Sequence, residues 1–268
     1  MKKIIILLIM IMGLLTAGFT QVYEPLDMRS GGMLGAGNLR FVLDWAYQEN
    51  NSVGSSTFDF GLDFGVGPSL EWQNRIGYRS VEGSDYQWAG WLELLKFQLG
   101  HAENGPAYAL GTGIYIPVRK SESLGLLAGL YISSAIKDID FDFNIGFDPF
   151  YLTYADLGNG VKVRNGHDLK IDLRLGYKIL PFFKILGGFR LDQYFDGKQK
   201  ITIGDQETTQ TIDGGAAWNF ILGGRLKPMD YPIVFDTSIS FGVSSRSEYD
   251  WQLKFGLQFQ PQSPNAEW

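Results

Sequence analysis

From about residue 38 to residue 259 the apolar residues of this chain recur at every second position, in runs of about ten. That is strand geometry, because successive side chains of a strand point to opposite faces, whereas a helix repeats at about 3.6 residues. Leu39, Phe41, Leu43, Trp45 and Tyr47 alternate with Arg40, Val42, Asp44 and Ala46. Leu169, Ile171, Leu173, Leu175, Tyr177 and Ile179 alternate with Lys170, Asp172, Arg174, Gly176 and Lys178. Twelve such segments run over 38–47, 57–66, 70–81, 86–99, 107–118, 123–133, 138–147, 168–179, 183–194, 216–227, 231–243 and 248–259. In the fourth the apolar phase slips from Trp88, Leu92 and Leu94 to Leu95, Phe97 and Leu99, which predicts a β-bulge.

Two faces of opposite character explain a mean hydropathy of −0.06, which taken alone suits a soluble protein. The chain is 45% hydrophobic and 15% aromatic, too apolar for disorder, and its lack of cysteine removes disulfide frameworks and thiolate metal sites. With 34 glycines in 268 residues it is also a poor helical bundle.

Residues 1–20 read as an export signal. Lys2 and Lys3 precede an apolar run from Ile4 to Leu15, followed by Thr16, Ala17, Gly18, Phe19 and Thr20. The run is too short for a comfortable membrane-spanning helix and has the secretory layout. Phe19 stands where a lipoprotein would need cysteine. Removing the leader takes two lysines from a net charge of −6 and leaves −8, a balance that disfavours nucleic acid.

Alternation alone also fits a soluble sandwich, whose apolar faces would meet each other. Lipid is favoured by aromatics near the strand ends, among them Trp45, Tyr47, Trp72, Tyr78, Tyr86, Trp88, Trp218, Tyr231, Tyr249 and Trp251, which suit two interfacial girdles. The longest connections, 148–167 and 195–215, both follow odd-numbered strands, and short ones such as Gly67-Pro68-Ser69 and Leu180-Pro181-Phe182 follow even-numbered ones. The expectation is an all-β, antiparallel transmembrane β-barrel of about twelve strands in an outer membrane, residues 38–259, with both termini periplasmic. Residues 21–37 form a periplasmic lead-in or a plug, and 260–268 a C-terminal extension in which Pro261 and Pro264 forbid a regular strand.

With lipid on the apolar face, the other face lines a lumen. The candidate lining residues are Arg40 and Asp44 on the first strand, Asp59 and Asp63 on the second, and Glu71, Arg75 and Arg79 on the third. Asp138, Asp140 and Asp142 follow on the seventh, Lys170, Asp172, Arg174 and Lys178 on the eighth, Arg190 and Asp192 on the ninth, Arg225 on the tenth and Lys254 on the twelfth. Antiparallel pairing should bring Asp138 near Lys178 and Asp142 near Arg174, as a charged solute path or as a self-neutralising ladder. The aspartates stand in a row along a strand and do not wrap an ion, so no metal site is expected, and no cofactor. Gly61, Gly65, Gly111, Gly113, Gly125 and Gly129 leave interior room for water, a ligand or the segment 22–37.

Leu92–Leu99, Asn104–Pro117 and Asp138–Phe147 resemble successive strands of the phenol-degradation meta-pathway outer-membrane proteins, a group distantly allied with long-chain fatty acid transporters. Val118-Arg119 departs from the Thr-Gly common there. The resemblance implies a monomeric barrel that takes up small, often apolar compounds, and carries no catalytic residues. Trp251–Phe259 is similar to the C-terminal signal read by the barrel-assembly machinery, an expected partner during biogenesis beside outer-membrane lipid and a small-molecule solute. An enzyme is not expected. Of two histidines, His101 falls in a predicted turn, and His167 sits beside Asp168 with no serine two positions away. Residues 200–212, with Ile201, Ile203, Thr208, Thr209 and Thr211, are expected to form a hairpin beyond the membrane and an external recognition surface.

Overall fold

The structure is a computed structural model and describes residues 34–82, 85, 87–101, 106–118, 123–203, 206–228, 231–244, 247 and 249–261. The leader, residues 21–33 of the lead-in and residues 262–268 lie outside the described residues.

Twelve strands form a closed antiparallel barrel. They are β1 (Leu39–Asn50), β2 (Val53–Gly67), β3 (Leu70–Val81), β4 (Gln87–His101), β5 (Ala107–Ile116), β6 (Gly125–Ile136), β7 (Ile139–Tyr151), β10 (Asp168–Leu180), β11 (Phe183–Tyr194), β14 (Gly215–Leu226), β15 (Ile233–Gly242) and β16 (Trp251–Phe259). Four shorter strands, β8 (Ala155–Gly158), β9 (Val161–Arg164), β12 (Gly197–Ile203) and β13 (Gln206–Ile212), make a separate sheet in the order β13-β12-β9-β8. Each of the twelve expected strands is present, and β1 closes the barrel on β16, with Phe41 opposite Phe259 and Glu49 opposite Trp251. Closure leaves no unpaired sheet edge, which a lipid environment would not tolerate.

Burial is inverted relative to a soluble protein. Arg40, Asp63 and Lys96 on the inner face are 0% exposed, while Phe60, Leu175 and Leu222 on the outer face of the wall are 50%, 51% and 58% exposed. An apolar exterior around a polar interior is the pattern lipid selects. The outer aromatics pair across strands: Trp45 stacks on Phe255 at 5.6 Å, Tyr47 meets Trp251 at 5.4 Å, and Phe189 meets Trp218 at 5.0 Å.

The barrel has two unlike ends. One carries the start of β1, the end of β16 and the short turns 68–69, 137–138 and 181–182; we call it the terminus end. The other, the loop end, carries the four-stranded sheet, whose hairpins join β7 to β10 and β11 to β14. One loop-end turn is tight: Asn51 and Ser52 both have positive φ, 49° and 65°, the two-residue geometry that matches strand twist.

The fourth strand carries the expected bulge, but earlier than the Leu94–Leu95 step in apolar phase, which arises because Leu92 and Leu94 face inward. Pairing of β3 with β4 passes from Gly77↔Gly90 to Tyr78↔Trp88, so Ala89 is the extra residue. Trp88 and Trp91 therefore both face outward, and Leu94 is fully buried inside. Glu93 consequently takes the outer face, where it accepts a hydrogen bond from the Trp72 indole at 3.3 Å.

The expected hairpin at 200–212 is present as β12–β13. Its companion β8–β9 was not expected. The Asn-Gly pair between Leu157 and Val161 is its sequence signal, and Gly158, Asn159 and Gly160 all have positive φ there.

Candidate functional site

Inside the terminus end, an ionic network gathers on two carboxylates. Arg40 donates from Nε to Asp63 at 2.7 Å and from Nη2 to Glu71 at 3.1 Å. Arg75 makes a second ion pair with Asp63. Lys96 Nζ lies 3.5 Å from Glu71, and Gln73 donates to the same carboxylate at 2.8 Å. Three cations on two anions leave this cluster positive. Lys96 and Gln73 escaped the sequence reasoning, Lys96 because the bulge in its strand hides which face it takes.

Glu71 also holds the lead-in. The backbone N–H of Leu34, a residue 2% exposed, donates to Glu71 Oε2 at 2.8 Å. Gly37 N–H donates to the Gly65 carbonyl at 2.7 Å, and Gly65 N–H donates to the Asn38 carbonyl at 2.9 Å. A Cβ at Gly65 would lie 1.7 Å from the Gly35 carbonyl oxygen, so the missing side chain of Gly65 is the seat of the 34–37 segment. The other interior glycines do not leave open space as expected. A Cβ at Gly61 would meet the Arg75 guanidinium at 2.5 Å, and Gly111 and Gly129 make room for the Tyr131 ring.

A second set of charges lines β7, β10, β11, β14 and β15. Arg225 makes a two-pronged pair with Asp236, at 2.7 and 3.0 Å, and Gln258 adds a donor to Asp236 at 3.3 Å. Asp140 pairs with Lys184, and Asp142 accepts from Ser133 Oγ at 2.6 Å. Asp172 pairs with Arg190 at 2.5 Å, and Asp192 accepts from Asn219 at 2.9 Å. Lys184, Asp236 and Asn219 were missed. The register argument that paired Asp142 with Arg174 would have found Asp236, which stands opposite Arg225.

Not every expected residue joins these clusters. Asp142 and Arg174 are cross-strand neighbours as expected. Asp138 does stand beside Lys178, whose backbone N–H donates to the Asp138 carbonyl at 2.8 Å, but its place as a lumen residue is corrected: it lies exposed in the 137–138 turn. The cross-strand neighbour of Lys178 is Lys184, a second cation. Arg79 is exposed near the loop end, while Lys170, 3.5 Å from Asp168, and Lys254 are half-buried.

Between the two sets, Asp44 stands directly opposite Asp59. Like charges so placed destabilise a sheet unless something else is served. They line a cavity of about 310 Å³ with Arg75, Gly77, Gly90, Leu92 and Tyr115. Asp44 Oδ1 is buried there with no hydrogen-bond partner among the described residues. A larger hollow of about 450 Å³, lined by Leu43, Trp45, Phe235 and Phe255, is apolar and lies on the outer wall, where lipid chains would fill it.

The two histidines are both at strand ends. β4 extends to His101, whose backbone pairs with Ala107, so it closes a strand where a turn was expected. His167 stacks on Phe150, with centroids 3.6 Å apart and planes at 10°. Burial, and then the Arg164 guanidinium, holds its pKa below the ordinary 6.5. The folded chain thus binds this proton less readily than the unfolded one. The stabilising contribution is whole above 6.5 and is lost as pH falls below it through the lowered folded value. Histidine ring NMR should give a titration midpoint under 6.5, and His167→Phe should flatten the acid side of the thermal stability profile; a midpoint at or above 6.5 would refute the burial argument.

No family model matches the chain, and no curated protein matches it. Solved structures do. The COG4313 outer membrane channel from Pseudomonas putida F1 superimposes with a TM-score of 0.67 at 10% identity, over 89% of this chain and 99% of that one. The chain has the outer-membrane β-barrel fold. The KdgM porin, at a TM-score of 0.48 and 10% identity over 81% and 98% of the two chains, and LpxR from Salmonella typhimurium, at 0.43 and 10% over 82% and 99%, are more distant. With its apolar belt and aromatic pairs, this outer-membrane barrel sits in lipid and crosses it by strands of 9 to 15 residues.

Proposed function

We propose that the chain is a channel for small solutes, with its terminus end toward the periplasm and residues 34–37 held across that mouth by Glu71 and Gly65. The observation that carries this reading is the interior cavity at Asp44 and Asp59. Its volume of about 310 Å³ is that of a small-molecule site, and among the described residues its paired carboxylates have no direct ion pair of their own. Leu92 and Tyr115 give the same cavity an apolar side. That mixture suits compounds with an apolar body and a donor or cationic group, in keeping with the uptake of small apolar compounds that the resemblance to the phenol-degradation group implies. The COG4313 protein is itself described as a channel.

Planar-bilayer recordings of the refolded protein test the proposal. Discrete conductance steps with a preference for cations are expected, and Asp44→Asn with Asp59→Asn should weaken that preference. A second reading, a structural barrel with a sealed interior, is favoured by one observation: Arg40, Lys96, Arg174, Lys184 and Arg225 are all buried within the interior clusters, at most 2% exposed. Absence of conductance and of solute uptake by liposomes, with the lead-in removed as well as present, would establish that sealed form.

A further inference from the structure

The four-stranded sheet at the loop end has two unlike faces. Residues paired across antiparallel strands share a face. Lys198 is paired with Arg164 and Lys200 with Lys162, so four cations stand together. The opposite face carries Val161, Val163 and Ile201. Two successive like-charged pairs oppose sheet formation, and packing gives no reason for them. Thr211 and Thr209, opposite Lys198 and Lys200, extend the basic face with hydroxyl groups. Tyr154 braces it, with its ring 5.3 Å from Lys200 Nζ and 5.4 Å from the Arg164 guanidinium carbon. Two acids share the face: Glu207 bonds Lys200 at 2.8 Å, and Asp156 is paired with Lys162. The face is therefore positive in a chain whose net charge is −6.

Its height above the bilayer follows from the chain. Arg164 precedes the first residue of β10, Asp168, by four residues, and Lys198 follows the last of β11, Tyr194, by four. At about 3.3 Å per residue both lie within roughly 13 Å of the barrel rim. Phe147, Phe150 and Phe195 cluster at that rim, with centroids 5.7 and 6.2 Å apart, at the level where interfacial aromatics sit. Headgroups begin at that level and extend several ångströms outward. Arg164 and Lys198 thus stand at the height of lipid phosphates, with Lys162 and Lys200 one pleat repeat, about 7 Å, further out.

We propose that this face binds the phosphate groups of a glycolipid in the leaflet at the loop end. Arg164 can grip a phosphate with two parallel N–H donors, Lys162, Lys198 and Lys200 add point charges, and the threonines offer hydroxyls to the sugar. The test uses the full-length refolded protein in detergent with lipopolysaccharide bearing phosphorylated lipid A, and with the same material after enzymatic dephosphorylation. Retention is read by native mass spectrometry. The phosphorylated form should be retained, and Arg164→Gln with Lys198→Gln should weaken retention about 30-fold, from the usual contribution of a basic residue near an anionic lipid surface. Heat-modifiable migration of that variant should match the parent, showing that the barrel still folds, and its conductance should be unchanged, which separates this proposal from the channel. Equal retention of the phosphorylated and dephosphorylated lipid, or an unaffected variant, would overturn it. So would tight binding of heparin without retention of glycolipid, which would make the face a site for soluble polyanions.

Discussion

Gly65→Val is expected to raise the conductance of the barrel severalfold. The absent side chain of Gly65 is the space the Gly35 carbonyl occupies, 1.7 Å from where a Cβ would be. No rotamer choice relieves that contact, because both partners are backbone-fixed. Valine keeps good strand propensity, so β2 itself should persist. The substitution removes no charge: Arg40, Asp63 and Glu71 keep their pairs, and ion preference should stay as it was while current increases. Deleting residues 21–37 should give the same conductance by a different route. If both variants conducted like the parent protein, the 34–37 segment would not be what limits passage.

Arg225→Met is expected to be strongly destabilising. Arg225 is 2% exposed and satisfies both oxygens of Asp236, itself 3% exposed. Removing one partner of a buried pair strands the other charge, at a cost of about 3–5 kcal/mol. Gln258, at 3.3 Å, would be the donor left to Asp236 among those described above. Urea unfolding of the protein in lipid vesicles, followed by tryptophan emission, measures the loss. Arg225→Met with Asp236→Leu should recover most of it, since two apolar side chains leave no stranded charge. By contrast Lys170→Met, which breaks a half-exposed contact of 3.5 Å with Asp168, should change stability by about 1 kcal/mol or less. A single Arg225→Met as mild as Lys170→Met would mean that water reaches the Arg225 pair.

Strand count, strand phase and the pairing of Asp142 with Arg174 were legible because each follows from a period of two and an antiparallel register. Phase says which face a residue takes. It does not say where a strand ends, and there the expectation for Asp138 failed: the triplet it belongs to begins in the turn, one residue before β7. Lys96 was illegible for a different reason, since one bulged residue, Ala89, inverts the faces of all that follows it in β4. The glycines misled in a third way. Their interior positions followed from the pattern, but the space beside Gly61, Gly111 and Gly129 is filled by Arg75, the hairpin partner of Gly61, and by Tyr131, two residues from Gly129, because a long side chain folds over the bare backbone next to it. The basic face of the outer sheet was half visible, because β12–β13 was expected and β9, which supplies Lys162 and Arg164, was not.

The seam between β1 and β16 joins the first and last strands of the wall. Asp250 N–H donates to the Glu49 carbonyl at 2.7 Å, and Gln252 donates to Gln48 at 2.9 Å across 204 residues of sequence. Every other neighbouring pair in the wall is nearer in the chain, so those pairings can form as local hairpins while the seam must wait for the last strand to be made. Until then β1 offers an open edge of paired-up polar backbone on one side only, in a solvent that cannot satisfy the other. The stacks of Phe41 on Phe259 and Trp45 on Phe255 form at that late moment. They act as a latch on the closed seam, holding β1 and β16 together against reopening and so against proteolysis and pairing with a stranger.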